Sequence, residues 1–187
     1  MSLHSGIEPP SAWVRRFAGL VPSGGRMLDL ACGTGRNARY FLDRFHPVTG
    51  LDRYNAGVVD LLGRDDFTLV EADLESGGPW PLGSARFAAV VVTNYLHRPI
   101  LPAIMGALAP DGVLIYETFA AGNARFGRPS NPDFLLDPGE LLDAVAGTLD
   151  VVAFEQGEVA APRLAVVQRI CALGPGYSAA RRLDGPS

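Results

Sequence analysis

The chain has 187 residues, 48% of them apolar, enough for one domain with a substantial core. Sixteen basic against 20 acidic side chains leave a net charge of −4, which suggests no nucleic-acid-binding surface and favours a small-molecule partner. Cys32 and Cys171 lie far apart with no CxxC pair and no histidine cluster, which argues against a disulfide scaffold or a metal site and fits a reduced, cytoplasmic protein.

Met1 to Pro10 lacks a basic-then-apolar leader pattern, and no apolar run approaches the length of a bilayer span, so no membrane partner is expected. A first helix follows Ser11, with Trp13, Phe17 and Leu20 at helical spacing. The turn Pro22-Ser23-Gly24-Gly25 closes it, and a buried strand over Met27–Ala31 runs into Cys32-Gly33-Thr34-Gly35. Ala38, Phe41, Leu42 and Phe45 predict the next helix by their i, i+3, i+4, i+7 pattern. A second strand, Val48–Leu51, ends on Asp52, and a short helix is expected to carry Val58, Val59, Leu61 and Leu62. A third strand, Phe67–Ala72, ends on Asp73, and the Gly- and Pro-rich stretch from Ser76 to Ser84 reads as loop. The fourth strand, Phe87–Thr93, is almost wholly apolar, as a central strand covered on both faces should be. A helix through Ile100, Ile104, Met105 and Leu108 follows, then the turn Pro110-Asp111-Gly112 and a fifth strand, Val113–Phe119.

After a long loop, Asp137-Pro138-Gly139-Glu140 opens a helix: Asp137 as cap, Pro138 in the first position, Glu140 completing a capping box. The last two strands, near Leu149–Glu155 and Arg163–Cys171, are joined by a link too short for a parallel crossover, so they form an antiparallel hairpin. Alternating strands and helices predict an α/β fold with helices on both faces of the sheet. The expected division is an N-terminal helix and lid segment over 1–25, a ligand-binding domain over 26–173 and a frayed tail over 174–187.

Gly33-Thr34-Gly35 between a strand and a helix is the arrangement in which backbone N–H groups face a bound anion, and it suits NAD as well as other nucleotides. Asp29, inside an apolar strand, needs a partner, which a ligand ammonium or the glycine-loop backbone can supply. Asp52, 17 residues after Gly35, is placed to accept both hydroxyls of a ribose, and Asp73 to accept from an adenine amino group. His97, following the fourth strand, is a candidate general base or simply a polar residue opening the next helix. Arg125 and Arg128 lie in the long segment Ala121–Leu136, where they can hold an anionic acceptor or sit in solvent. With the helix around Trp13, that segment is expected to form a lid over the acceptor.

Leu28-Asp29-Leu30-Ala31-Cys32-Gly33-Thr34-Gly35 resembles motif I of the class I S-adenosylmethionine (SAM)-dependent methyltransferases. The resemblance extends over Asp52, Asp73-Leu74, Thr93-Asn94-Tyr95-Leu96, the turn Ala109-Pro110-Asp111-Gly112 and the terminal hairpin. Gly35-Arg36-Asn37 is similar to small stand-alone enzymes of the tellurite-resistance type. The family implies a single-domain Rossmann-like fold with a seven-stranded sheet in the order 3-2-1-4-5-7-6, strand 7 antiparallel, and SAM as cofactor. By that resemblance Asp29 and the Gly33–Gly35 backbone hold the methionine moiety, Asp52 the ribose, and Asp73 and Leu74 the adenine, with Asn94 and Tyr95 beside the sulfonium. Ala31, Arg36, Asn37 and Arg53 adjoin these motifs and complete the expected cofactor set, while Trp13 joins Arg125 and Arg128 on the acceptor side. Two other functions compete: an NAD(P)-binding oxidoreductase, which explains neither Asp29 nor the hairpin, and a non-enzymatic methyltransferase-like binding subunit, which has no need of Asp52 and Asp73. Asn94-Tyr95-Leu96-His97 departs from the Asn/Asp-Pro-Pro-Tyr signature of enzymes that methylate amino groups on bases or glutamine.

Overall fold

Strands that are apolar on both faces belong in the middle of a sheet, and the computed structural model, which describes residues 8–179, places them there. The strands are β1 (Met27–Leu30), β2 (Val48–Asp52), β3 (Phe67–Glu71), β4 (Phe87–Thr93), β5 (Leu108–Phe119), β6 (Asp150–Val159) and β7 (Ala165–Leu173). They form one sheet in the order β3-β2-β1-β4-β5-β7-β6. The ladders from β3 to β5 are parallel, and β7 is antiparallel to both β5 and β6. The expected topology and hairpin are therefore both present.

Four short helices are α1 (Ala12–Phe17), α2 (Arg36–Leu42), α3 (Leu101–Gly106) and α4 (Glu140–Val145). Side chains alternate across each strand, so the sheet separates two cores. Trp13, Phe17, Met27, Phe41, Val91 and Ile115 fill one, under α1 and α2. Leu28, Leu30, Val92, Ile104, Tyr116 and Leu141 fill the other, under α3 and α4. Ser11 starts α1 by accepting from the Trp13 and Val14 N–H groups.

Several local expectations change. Phe45 lies beyond α2 at a φ of 63° and is exposed, because the helix ends at Leu42 and the chain reverses there. Between β2 and β3 only one 3-10 turn forms, Val59–Leu61; Val58 and Leu61 are buried whereas Val59 and Leu62 face solvent. Leu108 pairs with Phe87 as the start of β5 instead of ending α3, and residues 109–112 loop out before pairing resumes at Ala89 and Val113. At α4 half of the capping box forms: Glu140 accepts from the Asp137 N–H at 2.8 Å, while Gly139 in left-handed conformation takes the cap position. Residues 174–177 are docked, not frayed, with Gly174 N–H donating to Gly112 O, Gly176 N–H to Pro110 O and the Tyr177 hydroxyl to Leu20 O. Residues 180–187, the rest of that expected tail, lie outside the described residues.

Candidate functional site

In a parallel sheet the strand ends, not the strand middles, offer free side chains and backbone groups. At the C-terminal edge, the ends of β1, β2, β3 and β4 enclose a cleft of about 260 Å³. Its lining includes Ala31, Asp52, Arg53, Asp73, Leu74 and Tyr95, six of the residues singled out by sequence, together with Leu51, Tyr54, Ala72 and Glu75. A larger depression of about 360 Å³ opens at the opposite edge between Arg26, Asp65 and Phe87. No acid at the C-terminal end of a strand reaches it, so the smaller cleft is the candidate site.

The turn leaving β1 is strained in a defined way. Ala31, Gly33 and Gly35 all have positive φ (53°, 55° and 69°), which swings the chain over the sheet edge into α2. Gly57 lies so close to Gly33 O and the Thr34 Cα that any side chain there would displace the turn. Asp52 buttresses the turn, accepting from the Gly33 N–H at 2.8 Å through Oδ2. Its Oδ1 accepts from the Tyr54 N–H at 3.1 Å. Asp73 closes the equivalent turn after β3, its Oδ1 accepting from the Glu75 N–H at 2.9 Å. Arg53 lies 3.6 Å from the Asp73 carboxylate and over the Tyr54 ring. Each carboxylate oxygen keeps a second lone pair, so both acids can still accept from ligand hydroxyl or amino groups. The repeated two-residue offset, Asp52 to Tyr54 and Asp73 to Glu75, was a readable signal: it is the Asx turn expected where a strand-end Asp leads into a loop.

Tyr95 enters from the far side. Asn94 turns the chain at the end of β4 with a φ of 57°, donating its N–H to Glu117 O at 3.0 Å. The buried Tyr116 hydroxyl then donates to Tyr95 O at 2.9 Å, so β5 pins this corner twice. The Tyr95 Oη is buried and makes no hydrogen bond. Burial first, then the Glu75 and Asp73 carboxylates, hold this phenol above its usual pKa.

The family model of a methyltransferase domain matches residues 28–116, from the start of β1 into β5. The match covers just under half of the chain and ends before the hairpin. No curated protein matches the chain in sequence. Among solved structures, a glycopeptide N-methyltransferase, MtfA, in complex with S-adenosyl-L-homocysteine is 20% identical, covers 90% of this chain and 91% of that one, and has a TM-score of 0.62. TehB from Haemophilus influenzae is 18% identical over 83% of this chain and 59% of its own, with a TM-score of 0.65. The 1,6-didemethyltoxoflavin-N1-methyltransferase of Burkholderia thailandensis, with 1,6-didemethyltoxoflavin and S-adenosylhomocysteine bound, is 19% identical over 88% and 79%, with a TM-score of 0.62. At these identities the likeness establishes the fold.

Within the matched span, other expected site residues are held away from the cleft. Asp29 is 1% exposed and accepts from the Ala38 N–H at 2.9 Å, so its backbone partner lies in α2. Burial pushes its carboxyl up to about 7, against the opposing pull of that N–H and of Arg36. Asn37 is buried, accepting from the Ser11 N–H and donating to the Thr93 hydroxyl. Arg36 reaches Glu8 and Pro9 O. These two residues tie the N-terminal segment across α2. Cys32 keeps its proton, because burial and the Asp29 and Asp52 carboxylates raise its thiol far above the ordinary value. His97 is half-buried at the start of a 3-10 turn, where its ring makes no hydrogen bond among the described residues.

The acceptor-side set is not brought together. Trp13 belongs to the core, 1% exposed, with its indole N–H bonded to Ile170 O. Arg125 pairs with Glu158 on the hairpin, and Arg128 is exposed with no ion pair among the described residues. The segment 121–136 packs on β7 through Asn123, which accepts from the Val166 N–H, and through Phe119, Leu135 and Ala165. It flanks the sheet edge beyond β5 and is not among the residues lining the cleft.

Proposed function

We propose that this chain transfers the methyl group of SAM to a small-molecule acceptor. The observation that carries the reading is the pair of turn-closing carboxylates, Asp52 and Asp73, on one cleft, with Asp52 also bonded to the Gly33 N–H of the adjoining glycine turn. A cleft that presents Asp52, Asp73 and Glu75 against one guanidinium suits a ligand rich in donors, as a ribose diol and an adenine amino group are. When bound, SAM would supply a methyl group already activated on a sulfonium, open to in-line attack by the acceptor's lone pair with S-adenosylhomocysteine as the leaving group.

The chain's own contribution is positioning. Asp52 holds the ribose, Asp73 and the Leu74 backbone the adenine, and the Ala31–Gly35 turn the methionine end. Asp29 supports that turn from below through α2. The strained corner at Asn94 marks the edge where the acceptor approaches, and alignment there, with water excluded, provides much of the rate. His97, two residues past Tyr95, accepts a proton where the acceptor arrives protonated. Arg128 is the cation of the 121–136 segment left for an anionic acceptor group. Support for a small-molecule acceptor comes from the 1,6-didemethyltoxoflavin bound in the neighbouring enzyme.

Calorimetric titration tests the reading: S-adenosylhomocysteine should bind and NAD should not. Asp52→Ala should weaken binding by roughly 1–3 kcal/mol, since a charge-assisted acceptor of two hydroxyls is lost. No binding by the wild-type protein sinks the function; full affinity in the variant sinks the role of Asp52.

A further inference from the structure

The connection from β3 to β4 runs over residues 72–86 without a helix, whereas the other crossovers of the parallel strands each carry a helix or a 3-10 turn. The face of β2 and β3 on that side is therefore only partly covered, and the depression of about 360 Å³ opens there. Thr49 and Thr68 are register partners on this face, and Val70, Leu82 and Ala85 add apolar surface. Thr49 is only 8% exposed, yet it lines the groove and makes no side-chain hydrogen bond among the described residues. Its hydroxyl is left for whatever enters.

The charges that line the groove narrow the choice. The Arg26 guanidinium lies over the Phe87 ring, 4.7 Å from its centroid, and has no carboxylate partner among the described residues. Asp66 is paired with Arg64 at 2.8 Å, whereas Asp65 pairs with no cation among the described residues. One cation and one anion thus share a groove without pairing with each other. A purely anionic ligand meets Asp65 there, and a purely cationic one meets Arg26. An uncharged ligand displaces water from both charges and gives neither a partner. We infer that this groove binds a small zwitterion, an amino acid with an apolar side chain, at a second site separate from the cofactor cleft. The carboxylate pairs with the planar fork of Arg26 and the ammonium with Asp65. The Thr49 hydroxyl, donor and acceptor at once, bonds either group. The hydrocarbon side chain lies on Val70, Leu82 and Ala85, and the volume is ample for such a molecule. This site stands whether or not SAM is the cofactor.

The test follows the backbone amides of the isotopically labelled full chain by NMR during titration with L-leucine. Isocaproate and isoamylamine, which keep its hydrocarbon and one charge each, serve as half-ligands. L-Leucine should shift the Thr49, Asp65 and Thr68 amides saturably and bind at least tenfold more tightly than either half-ligand. Arg26→Ala and Asp65→Asn should each weaken L-leucine binding at least fivefold. Both side chains are exposed, so neither change endangers the fold. No saturable shift, a half-ligand as tight as L-leucine, or unchanged affinity in either variant overturns the inference. So do shifts centred on Asp52 and Asp73, which put the molecule in the other cleft.

Discussion

Asp29 shows how one residue can be costly and retained. Its carboxyl is buried against α2 with a pKa of about 7, well above the ordinary carboxylate value of 3.8. For a carboxyl raised on folding, the native state binds more protons than the unfolded chain between those two values. Its contribution to stability is therefore complete below about pH 4 and lost as pH rises through about 7, amounting to roughly 4 kcal/mol at the alkaline end. Asp29→Asn keeps an acceptor for the Ala38 N–H and removes the charge. Urea unfolding should show the variant close to wild type below about pH 4 and more stable than wild type at pH 8. The same difference at both pH values would show that Asp29 does not titrate in this window.

Among elements, the segment after β5 is where sequence and structure differ most. A free lid is the reading that its length invites, yet Arg98 fastens its far end. The Arg98 guanidinium bonds both oxygens of Glu140, at 2.7 and 2.9 Å, and the carbonyls of Asp133 and Leu135 at 2.9 and 2.8 Å. Burial works to raise the Glu140 carboxyl, but Arg98 and the Asp137 N–H hold it below its usual value. One side chain thus joins the start of α4, the 131–136 arm and the chain leaving β4. Arg98→Ala should cost about 1–2 kcal/mol, as charge-assisted bonds at a half-exposed site are lost. Its clearer effect should be local: in hydrogen exchange, the Ala121 and Leu136 amides, which bond Leu136 O and Phe119 O, should lose protection before the central strands do. Unchanged protection at both would mean that the arm is held by its apolar contacts alone.

On the scale of the whole molecule, α1 belongs to the core. Trp13 packs edge-on against Phe17 and lies under the guanidinium groups of Arg16 and Arg169, both of which pair with Glu155. Ser11, just before it, joins α2 through Asn37 and β5 through Glu117. Trp13→Ala should therefore destabilise the protein by about 3–5 kcal/mol, the range for emptying a large buried aromatic site. Denaturant unfolding would show this as a large fall in midpoint. A loss below 1 kcal/mol would return α1 to the role of a surface flap.

Much of this molecule was legible without coordinates because it depends on short-range regularities. A continuous apolar run marked β4 as central, and a link too short for a crossover made β6 and β7 a hairpin. Acids at strand ends gave Asp52 and Asp73, since a parallel sheet brings all its C-terminal ends to one edge. What the tertiary structure alone decided was the direction of each side chain at that edge. Asn37 and Trp13 carry polar groups that look functional in a sequence, but their partners, Ser11 with Thr93 and Ile170, are 26 to 157 residues away. The orphaned hydroxyl of Tyr95 could not be read either, because an unpaired atom is defined by every neighbour that fails to reach it. Local pattern determines which residues sit at the ligand edge, and long-range hydrogen bonding determines which of them remain available to a ligand.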